Sequence, residues 1–255
     1  MKINKFKKIS KDKYKLFLET GDVITLYEDV IINNNLLLSK KLDDNLLEKL
    51  TMQNNEIHIY DMALNFLSIR MRSKKEVYNY LLKKEIPESL IKMTIDRLVK
   101  NGFLNDYNFA KAYVNDQLIL SNNGPYKIKN NLIELGIKDE IVIDVLKSIN
   151  IEHVKEKLGK LIDKKLKSSK GSFNMIKIKL LNYFYNLGYD KKDILQILDN
   201  VHKETDILYL QKEYNKLHTK YSKKYSGAEL KYFIEQKLYS KGYAKEDVGK
   251  IKREI

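Results

Sequence analysis

The sequence contains no cysteine and no tryptophan, and it has only two prolines and ten glycines in 255 residues. Without cysteine, a disulfide framework and a thiolate metal site are excluded, as suits a cytosolic protein. So few prolines and glycines leave little turn chemistry for a β-sandwich or a barrel. No secretory signal pattern and no run near ~18 apolar residues is present, so a membrane span is not expected. We therefore predict a cytoplasmic, mainly helical protein.

Positive charge is abundant, with 48 Lys and Arg against 34 Asp and Glu and a formal net charge of +14. A polyanion would suit such a chain as a partner. An AT-rich genome also enriches Lys, Asn, Ile and Tyr, so the net charge alone leaves both interpretations open. The scarce arginines are more informative. Three of the four, Arg70, Arg72 and Arg97, lie within residues 56–105, and the fourth is Arg253.

One pattern recurs along most of the chain. Four apolar residues occupy equivalent positions, with spacings of 51 (137−86), 52 (189−137) and 54 (243−189): Ile86, Ile137, Tyr189 and Tyr243. Glu85 precedes the first of them, and Gly136, Gly188 and Gly242 precede the others. Glycine between two helical patterns is typical of a left-handed C-cap, so these three glycines are expected to have positive φ. Such periodicity indicates one supersecondary module stacked on its neighbours.

The predicted fold is mainly α, with tandem three-helix repeats forming an elongated curved array and a small N-terminal β-hairpin or sheet segment. Residues 1–55 are assigned to the β segment plus a short helix. The repeats are assigned to residues 56–105, 106–150, 151–203 and 204–255. A monomer is expected.

Local signals place several element ends. β-Prone runs flank a turn at Thr20-Gly21-Asp22, and Ile3–Ile9 can add a third strand. A helix is expected to begin at Asp43-Asp44, and the polar stretch 51–55 is expected to be a linker. Capping boxes are expected at Ser73–Glu76 and, by repetition, at Ser226–Glu229.

Two ordered motifs lie in the first half of the chain. They read Ala63-Leu64-x-x-Leu67-Ser68-x-Arg70-x-Arg72-Ser73-x-x-Glu76 and Gly102-Phe103-Leu104-x-Asp106-x-x-Phe109-Ala110-x-x-Tyr113-Val114. Both resemble motifs of the RecX family, regulators of the bacterial recombinase RecA, and the strong resemblance covers residues 60–150. The resemblance implies a non-enzymatic regulator that binds RecA filaments on single-stranded DNA and inhibits their recombinase and ATPase activities. DNA repair, homologous recombination and SOS control are the implied processes.

The run Arg70–Lys75 places four cations at a helix–helix junction. Arginine pairs with carboxylates and phosphates through a planar fork that lysine lacks, so a partner-contacting patch is predicted. The alternative is a solvated turn whose cations favour the helix dipole. Asp106 is expected to cap the following helix. The predicted contacts with RecA or its filament are Arg70, Arg72, Lys74, Lys75, Arg97, Lys111, Lys127 and Lys129.

Lysine-rich runs occupy the corresponding junctions of the last two repeats. Basic residues beside tyrosines suit a phosphate backbone and stacked bases, so weak direct contact with DNA is predicted. The predicted nucleic-acid contacts are Lys164, Lys165, Lys167, Lys170, Lys220, Lys223, Lys224, Tyr221 and Tyr225. The histidines are scattered and no nucleophile or phosphate-loop motif is present, so no catalytic residue, metal site or cofactor is predicted. The alternative function is a helical-repeat protein that acts directly on DNA without RecA.

Overall fold

The computed structural model describes residues 1–201 and 204–251. Arg253 and the final residues of the third and fourth predicted repeats lie outside this range. The chain forms two compact units, one of Met1–Ala110 with Leu135–Ile137 and one of Lys111–Glu134 with Lys138–Ile255.

The N-terminal segment is an antiparallel three-stranded sheet in the order β1-β2-β3, formed by Ile3–Lys8, Lys13–Leu18 and Val23–Tyr27. Leu16 and Leu18 face a core that also includes Leu36 and Leu50 from the helices that follow. A lone hairpin is marginal in water, and this shared core is what stabilises the small sheet. The expected strands are confirmed.

Helices make up the rest of the described chain. Within it they are α1 (Glu28–Asn33), α2 (Leu36–Ser39), α3 (Asp44–Ile69), α4 (Lys74–Leu82), α5 (Glu88–Lys100), α6 (Asp106–Leu120), α7 (Pro125–Glu134), α8 (Asp139–Lys147), α9 (Ile151–Ser168), α10 (Phe173–Asn186), α11 (Lys191–Asp199), α12 (Ile207–Tyr221), α13 (Gly227–Ser240) and α14 (Lys245–Gly249). From α3 onward they follow one another as four sets of three. The mainly helical fold is confirmed.

The expected linker at residues 51–55 is wrong, because these residues lie inside α3. Asp43 caps this helix as expected, accepting from the Leu46 amide at 2.7 Å. The polar residues of the middle of α3 hold the N-terminal segment. The Asn54 side chain accepts from the Tyr27 amide at 2.9 Å, and Gln53 accepts from Asn34 at 2.7 Å. Polarity here therefore reflects a docking role for the helix.

The repeat register is visible in burial and backbone conformation. The three glycines preceding the aligned apolar residues have φ of +80°, +85° and +77° at Gly136, Gly188 and Gly242, as expected. Glu85, at the same position in the first set, has φ of +60°. Residues five before and five after the aligned apolar positions are buried in all four sets: Leu81, Leu132, Phe184, Leu238, Ile91, Val142, Ile194 and Val248.

A recurring contact joins these turns to the start of a second helix; we call it the turn–helix joint. In the first joint the Ser73 hydroxyl donates to the Leu135 carbonyl at 2.8 Å. A Cβ added to Gly136 would lie 2.7 Å from the Lys75 Cβ. Glycine is thus needed at this turn both for its φ and for close approach. Ser73 is wholly buried, so its hydroxyl has a partner as a buried polar group requires.

The second and third joints repeat this chemistry further along the chain. The Gly124 amide donates to the Leu187 carbonyl at 2.7 Å, and the Ser172 hydroxyl donates to the Lys241 carbonyl at 2.5 Å. Each donor is the residue just before the second helix of a set, and each acceptor is the residue just before the left-handed glycine. The joint is therefore one structural device used three times.

Two other capping expectations have different outcomes. The capping box at Ser73–Glu76 is present. At Ser226, before α13, no side-chain cap hydrogen bond forms, so the second predicted box is wrong. A further cap comes from Lys157, whose ammonium donates to the Leu118 and Ser121 carbonyls at 2.6 and 2.5 Å near the end of α6. Burial lowers the pKa of Lys157.

Candidate functional site

Clusters of surface charge provide the candidate functional sites of the described chain. Over residues 1–201 and 204–251, no group of three or more His, Asp or Glu side chains could hold a metal ion. In the same residues, no helix combines the length and hydrophobicity that crossing a bilayer requires. The candidate sites are the loops between the first and second helix of a set, namely the α3–α4 junction (69–76), the α9–α10 junction (164–172) and the α12–α13 junction (220–227).

At the α3–α4 junction, Glu76 organises the arginines. Its Oε1 accepts from the Arg70 guanidinium at 2.5 Å, and its Oε2 accepts from the Ser73 amide at 3.0 Å. Arg70 also donates to the Met71 carbonyl at 2.9 Å. The Arg70 side chain is nevertheless 52% exposed. Its guanidinium is therefore oriented by one carboxylate and remains accessible to a second anion.

Arg72 is held within the protein. Its side chain is only 14% exposed, and its Nη1 lies 3.5 Å from Glu76 Oε1. The guanidinium carbon lies 4.2 Å from the centre of the Phe66 ring, and Phe66 stacks on Tyr80 at 4.1 Å. Cation–π contact and an ion pair of this kind stabilise the local fold. The two arginines of the motif thus lie in different environments, although the sequence predicted the same role for both.

Asp106 does not cap its own helix, contrary to expectation. Asn105 accepts from the Tyr107 and Asn108 amides at 3.0 Å each, whereas Asp106 accepts from the Lys74 amide at 3.0 Å. The carboxylate of Asp106 therefore caps a backbone amide of a segment 32 residues away in the sequence. This contact fixes the backbone at the start of α4, which carries Lys74.

The other predicted partner contacts lie on three helices outside the α3–α4 junction, namely α5, α6 and α7. Arg97 on α5 is exposed and its guanidinium lies 4.2 Å from the centre of the Tyr60 ring. Lys111 on α6 and Lys129 on α7 are exposed, whereas Lys127 is half-buried. The Lys127 backbone lies against Gly188 in the second turn–helix joint. That residue accordingly has a structural role beside any contact of its ammonium group.

The α9–α10 junction brings lysines and an aromatic ring together. Lys164 and Lys165 help to line a pocket of about 340 Å³, along with Asn122, Ser168 and Tyr183. The Lys165 ammonium lies 4.6 Å from the centre of the Tyr183 ring, and this tyrosine is 40% exposed. Lys167 and Lys170 are exposed nearby in the sequence. Cation, amide, hydroxyl and aromatic face are the groups that nucleotides engage.

The α12–α13 junction differs, because its tyrosines are already engaged. Tyr221 and Tyr225 each lie 4.7 Å from the Phe233 ring, centre to centre, and both pack on the core of the last three helices. Lys220 and Lys224 lie over these rings at 5.3 and 5.5 Å. The two tyrosines thus pack between the junction and the core, and the lysine ammonium groups form the exposed part of the junction.

Sequence reasoning missed Tyr183 and Asn122 at the α9–α10 junction. Tyr183 is adjacent to the buried Phe184, so periodicity alone marks it as an ordinary flanking residue. Asn122 is separated from the lysines by more than 40 residues (164−122). Only the juxtaposition of α9, α10 and the loop after α6 reveals them as neighbours of Lys164 and Lys165.

The fold and its cationic junctions define a helical-repeat protein with the surface chemistry of a binding module. Comparison with known proteins identifies the family. Residues 60–98 match the family model described as RecX, first three-helix domain. A curated protein from Oceanobacillus iheyensis, "Regulatory protein RecX", is 35% identical over 246 residues, covering 92% of this chain and 90% of its own. This chain belongs to the RecX family, and the resemblance of its two motifs is confirmed.

Other similar proteins agree with this assignment. "Regulatory protein RecX" of Streptococcus agalactiae is 30% identical over 260 residues, covering 100% of this chain and 99% of its own. The crystal structure of RecX from Lactobacillus salivarius covers 58% of this chain with a TM-score of 0.54 and 31% identity. A second crystal structure of a regulatory protein RecX covers 78% with a TM-score of 0.66 and 22% identity, which supports the fold.

Proposed function

We propose that this chain is a non-enzymatic regulator of a RecA-type recombinase. It binds the RecA filament on single-stranded DNA and inhibits the recombinase and ATPase activities of that filament, acting as a cytoplasmic monomer in DNA repair, recombination and SOS control. The observation that carries the proposal is the 35% identity to a regulatory protein RecX over 92% of the chain. The chemistry of the junctions supports it.

The α3–α4 junction has the composition of a protein-binding surface. Ile69 is 76% exposed and Met71 is 51% exposed, and the half-exposed Arg70 lies between them in the sequence. Arg and Met are enriched at the centres of protein–protein interfaces, whereas Lys is depleted there. The fork of Arg70 can form a second charge-assisted pair with a carboxylate of the recombinase. Arg70 is therefore assigned to the centre of the contact with the filament protein, and Lys74 and Lys75 are assigned to its polar rim.

The α9–α10 junction has a different composition at the same position in a set. Its exposed groups are mostly lysines, and no ion pair to an acid involves Lys164 or Lys165 in the described chain. Unpaired ammonium groups attract phosphates, and their binding releases counterions from the nucleic acid. Tyr183 adds a ring face for a base. Lys164, Lys165, Lys167 and Lys170 are therefore assigned to the DNA strand of the filament.

The experiment compares two groups of substitutions in filament assays. One variant carries Arg70→Ala, Lys74→Ala and Lys75→Ala; the other carries Lys164→Ala, Lys165→Ala, Lys167→Ala and Lys170→Ala. The first should lose inhibition of RecA ATP hydrolysis and strand exchange because it lacks the protein contact. The second should bind single-stranded DNA more weakly, with a shallower salt dependence, because each lost phosphate contact lowers the slope.

A matched control removes three exposed lysines from the first two strands and the turn between them, through Lys7→Ala, Lys11→Ala and Lys15→Ala. It changes the net charge as much as the first variant does. Because these lysines lie outside the α3–α4 junction, the control should inhibit RecA like the unmodified chain. Equal losses in the control and the first variant would mean that only overall charge matters. Undiminished inhibition by the first variant, with its helical signal intact, would refute the assignment of the α3–α4 junction.

A direct action on DNA without RecA is the second candidate function. The observation that favours it is the lysine and tyrosine chemistry of the α9–α10 junction. Under this function, the chain would block a DNA-dependent ATPase unrelated to RecA at the same concentrations, simply by occupying the strand. Inhibition confined to the RecA filament would exclude it.

A further inference from the structure

The turn–helix joint has two halves, and residues 1–201 and 204–251 contain four copies of each half. One half is the residue before the second helix of a set, found at Ser73, Gly124, Ser172 and Ser226. The other half is the left-handed turn between the second and third helices, found at Glu85, Gly136, Gly188 and Gly242. The three joints use the first three helix starts and the last three turns. One helix start, at Ser226, and one turn, at Glu85, are left over.

The free helix start has an extended backbone, as the helix starts at Ser73 and Ser172 do. Ser226 has an extended backbone with φ of −138° and ψ of 162°, comparable with −76° and 161° at Ser73 and −65° and 141° at Ser172. Ser73 and Ser172 are buried under a docked turn, whereas Ser226 is exposed and forms no side-chain cap hydrogen bond. Its hydroxyl is therefore available to donate to a carbonyl, as the other two serines do.

The free turn has the backbone conformation of the docked turns, but it carries a glutamate where they carry a glycine. Residues 82–85 are exposed, and within the described chain no backbone donor reaches the Lys84 carbonyl. Glu85 has φ of +60°, so the turn already has the left-handed conformation of the docked glycines. A side chain in this conformation is strained, because its Cβ lies too close to the following carbonyl oxygen. Among the four turns in the described part of the chain, the undocked one thus carries a strained glutamate.

Steric contact explains why this glutamate matters. In the three joints, a Cβ on the turn glycine would lie 2.7 Å (Gly136), 2.3 Å (Gly188) and 3.0 Å (Gly242) from the helix start; the first two distances are shorter than real Cβ contacts, and the third is tighter than most. Glu85 carries such a Cβ and a charge as well. We propose that the free turn of one molecule is complementary to the free α13 start of a second copy of this chain, and that Glu85 prevents this head-to-tail docking. Because a head-to-tail contact leaves one unused half on each molecule, docking would otherwise join molecules into chains or rings.

Glu85→Gly should therefore convert the protein into one that self-associates, and the lack of native cysteine makes this easy to trap. Two chains are mixed, one with Lys84→Cys and one with Ala228→Cys, each with Glu85→Gly. Ala228 is equivalent to Lys75, whose Cβ contacts Gly136. Under mild oxidation, the 84–228 disulfide should form about tenfold faster or more than in the same mixture with Glu85 retained, because an overpacked contact is relieved. Sedimentation velocity on the cysteine-free Glu85→Gly chain should show a mass that rises with concentration.

Two further variants test the mechanism. Glu85→Ala removes the charge and keeps the Cβ, so it should remain as unreactive as the unmodified chain. Adding Ser226→Ala to Glu85→Gly removes the donor without removing a cap, and it should slow disulfide formation. The proposal is overturned if Glu85→Gly does not raise the rate of 84–228 disulfide formation above that of the chains with Glu85, or if Glu85→Ala raises this rate equally. Circular dichroism confirms that each variant is folded.

Discussion

Gly136 and Gly102 form a matched pair for measuring how tight the first turn–helix joint is. Both lie in the first compact unit, both follow a helix, and their φ values are +80° and +76°. A Cβ on Gly102 would meet nothing within 4 Å, whereas one on Gly136 would lie 2.7 Å from the Lys75 Cβ and 2.8 Å from its Cδ. Gly102→Ala should cost about 1 kcal/mol through its left-handed backbone alone.

Gly136→Ala should cost that amount plus roughly 1–3 kcal/mol for overpacking, about 2–4 kcal/mol in total. Displacing the turn also strains the hydrogen bond from Ser73 to the Leu135 carbonyl. The assay is urea denaturation followed by far-ultraviolet circular dichroism for both variants at one protein concentration. The difference between them isolates the steric part, since the backbone contribution is common to both. Equal midpoints would mean that the turn does not press on α4, and the reasoning about the joint would fail.

Three other substitutions test particular contacts. Tyr189 is buried, its hydroxyl has no hydrogen-bond partner in the described chain, and burial raises its pKa to about 12. The free energy of unfolding should therefore fall as the pH rises from about 10 to about 12, because the unfolded chain loses the Tyr189 proton first. In thermal melts over this pH range, Tyr189→Phe should remove most of that pH dependence and raise the free energy of unfolding by about 1 kcal/mol. Lys157→Met should cost roughly 1–3 kcal/mol by uncapping α6, measured by urea denaturation; an unchanged midpoint would contradict the cap. Arg72→Ala should lower the melting temperature through loss of its contact with Phe66, worth about 0.5–2 kcal/mol, whereas Arg70→Ala should not; equal effects would contradict their different burial.

Local signals in the sequence were sufficient to predict most of the helical framework. The glycines at 136, 188 and 242 and the capping box at Ser73 depend on residues within one turn, and all have the expected conformation. Asp43 likewise caps α3. Such features are predictable because a backbone dihedral or a nearby amide leaves few alternatives for a given residue type.

Features that depend on distant neighbours were not predictable. Residues 51–55 look like a linker because the sheet that they hold is far away in sequence, and Asp106 looks like a cap for its own helix although it accepts from Lys74. Tyr221 and Tyr225 look available for stacking on bases, yet both rings pack against Phe233. At the candidate site, the positive charge could be predicted from the sequence. The burial of Arg72 could not, because it depends on the contact with Phe66.

The turn–helix joint has an evolutionary consequence. Its hydrogen bonds end on backbone carbonyls, and its demands on side chains are few: a glycine at the turn, and a serine hydroxyl or a glycine amide as the donor. The donors and acceptors are 62 (135−73), 63 (187−124) and 69 (241−172) residues apart, so the joint tolerates extra residues between its halves. A gene could therefore gain or lose whole three-helix cassettes by duplication or deletion, and the new neighbours would fit without fresh selection for matching surfaces.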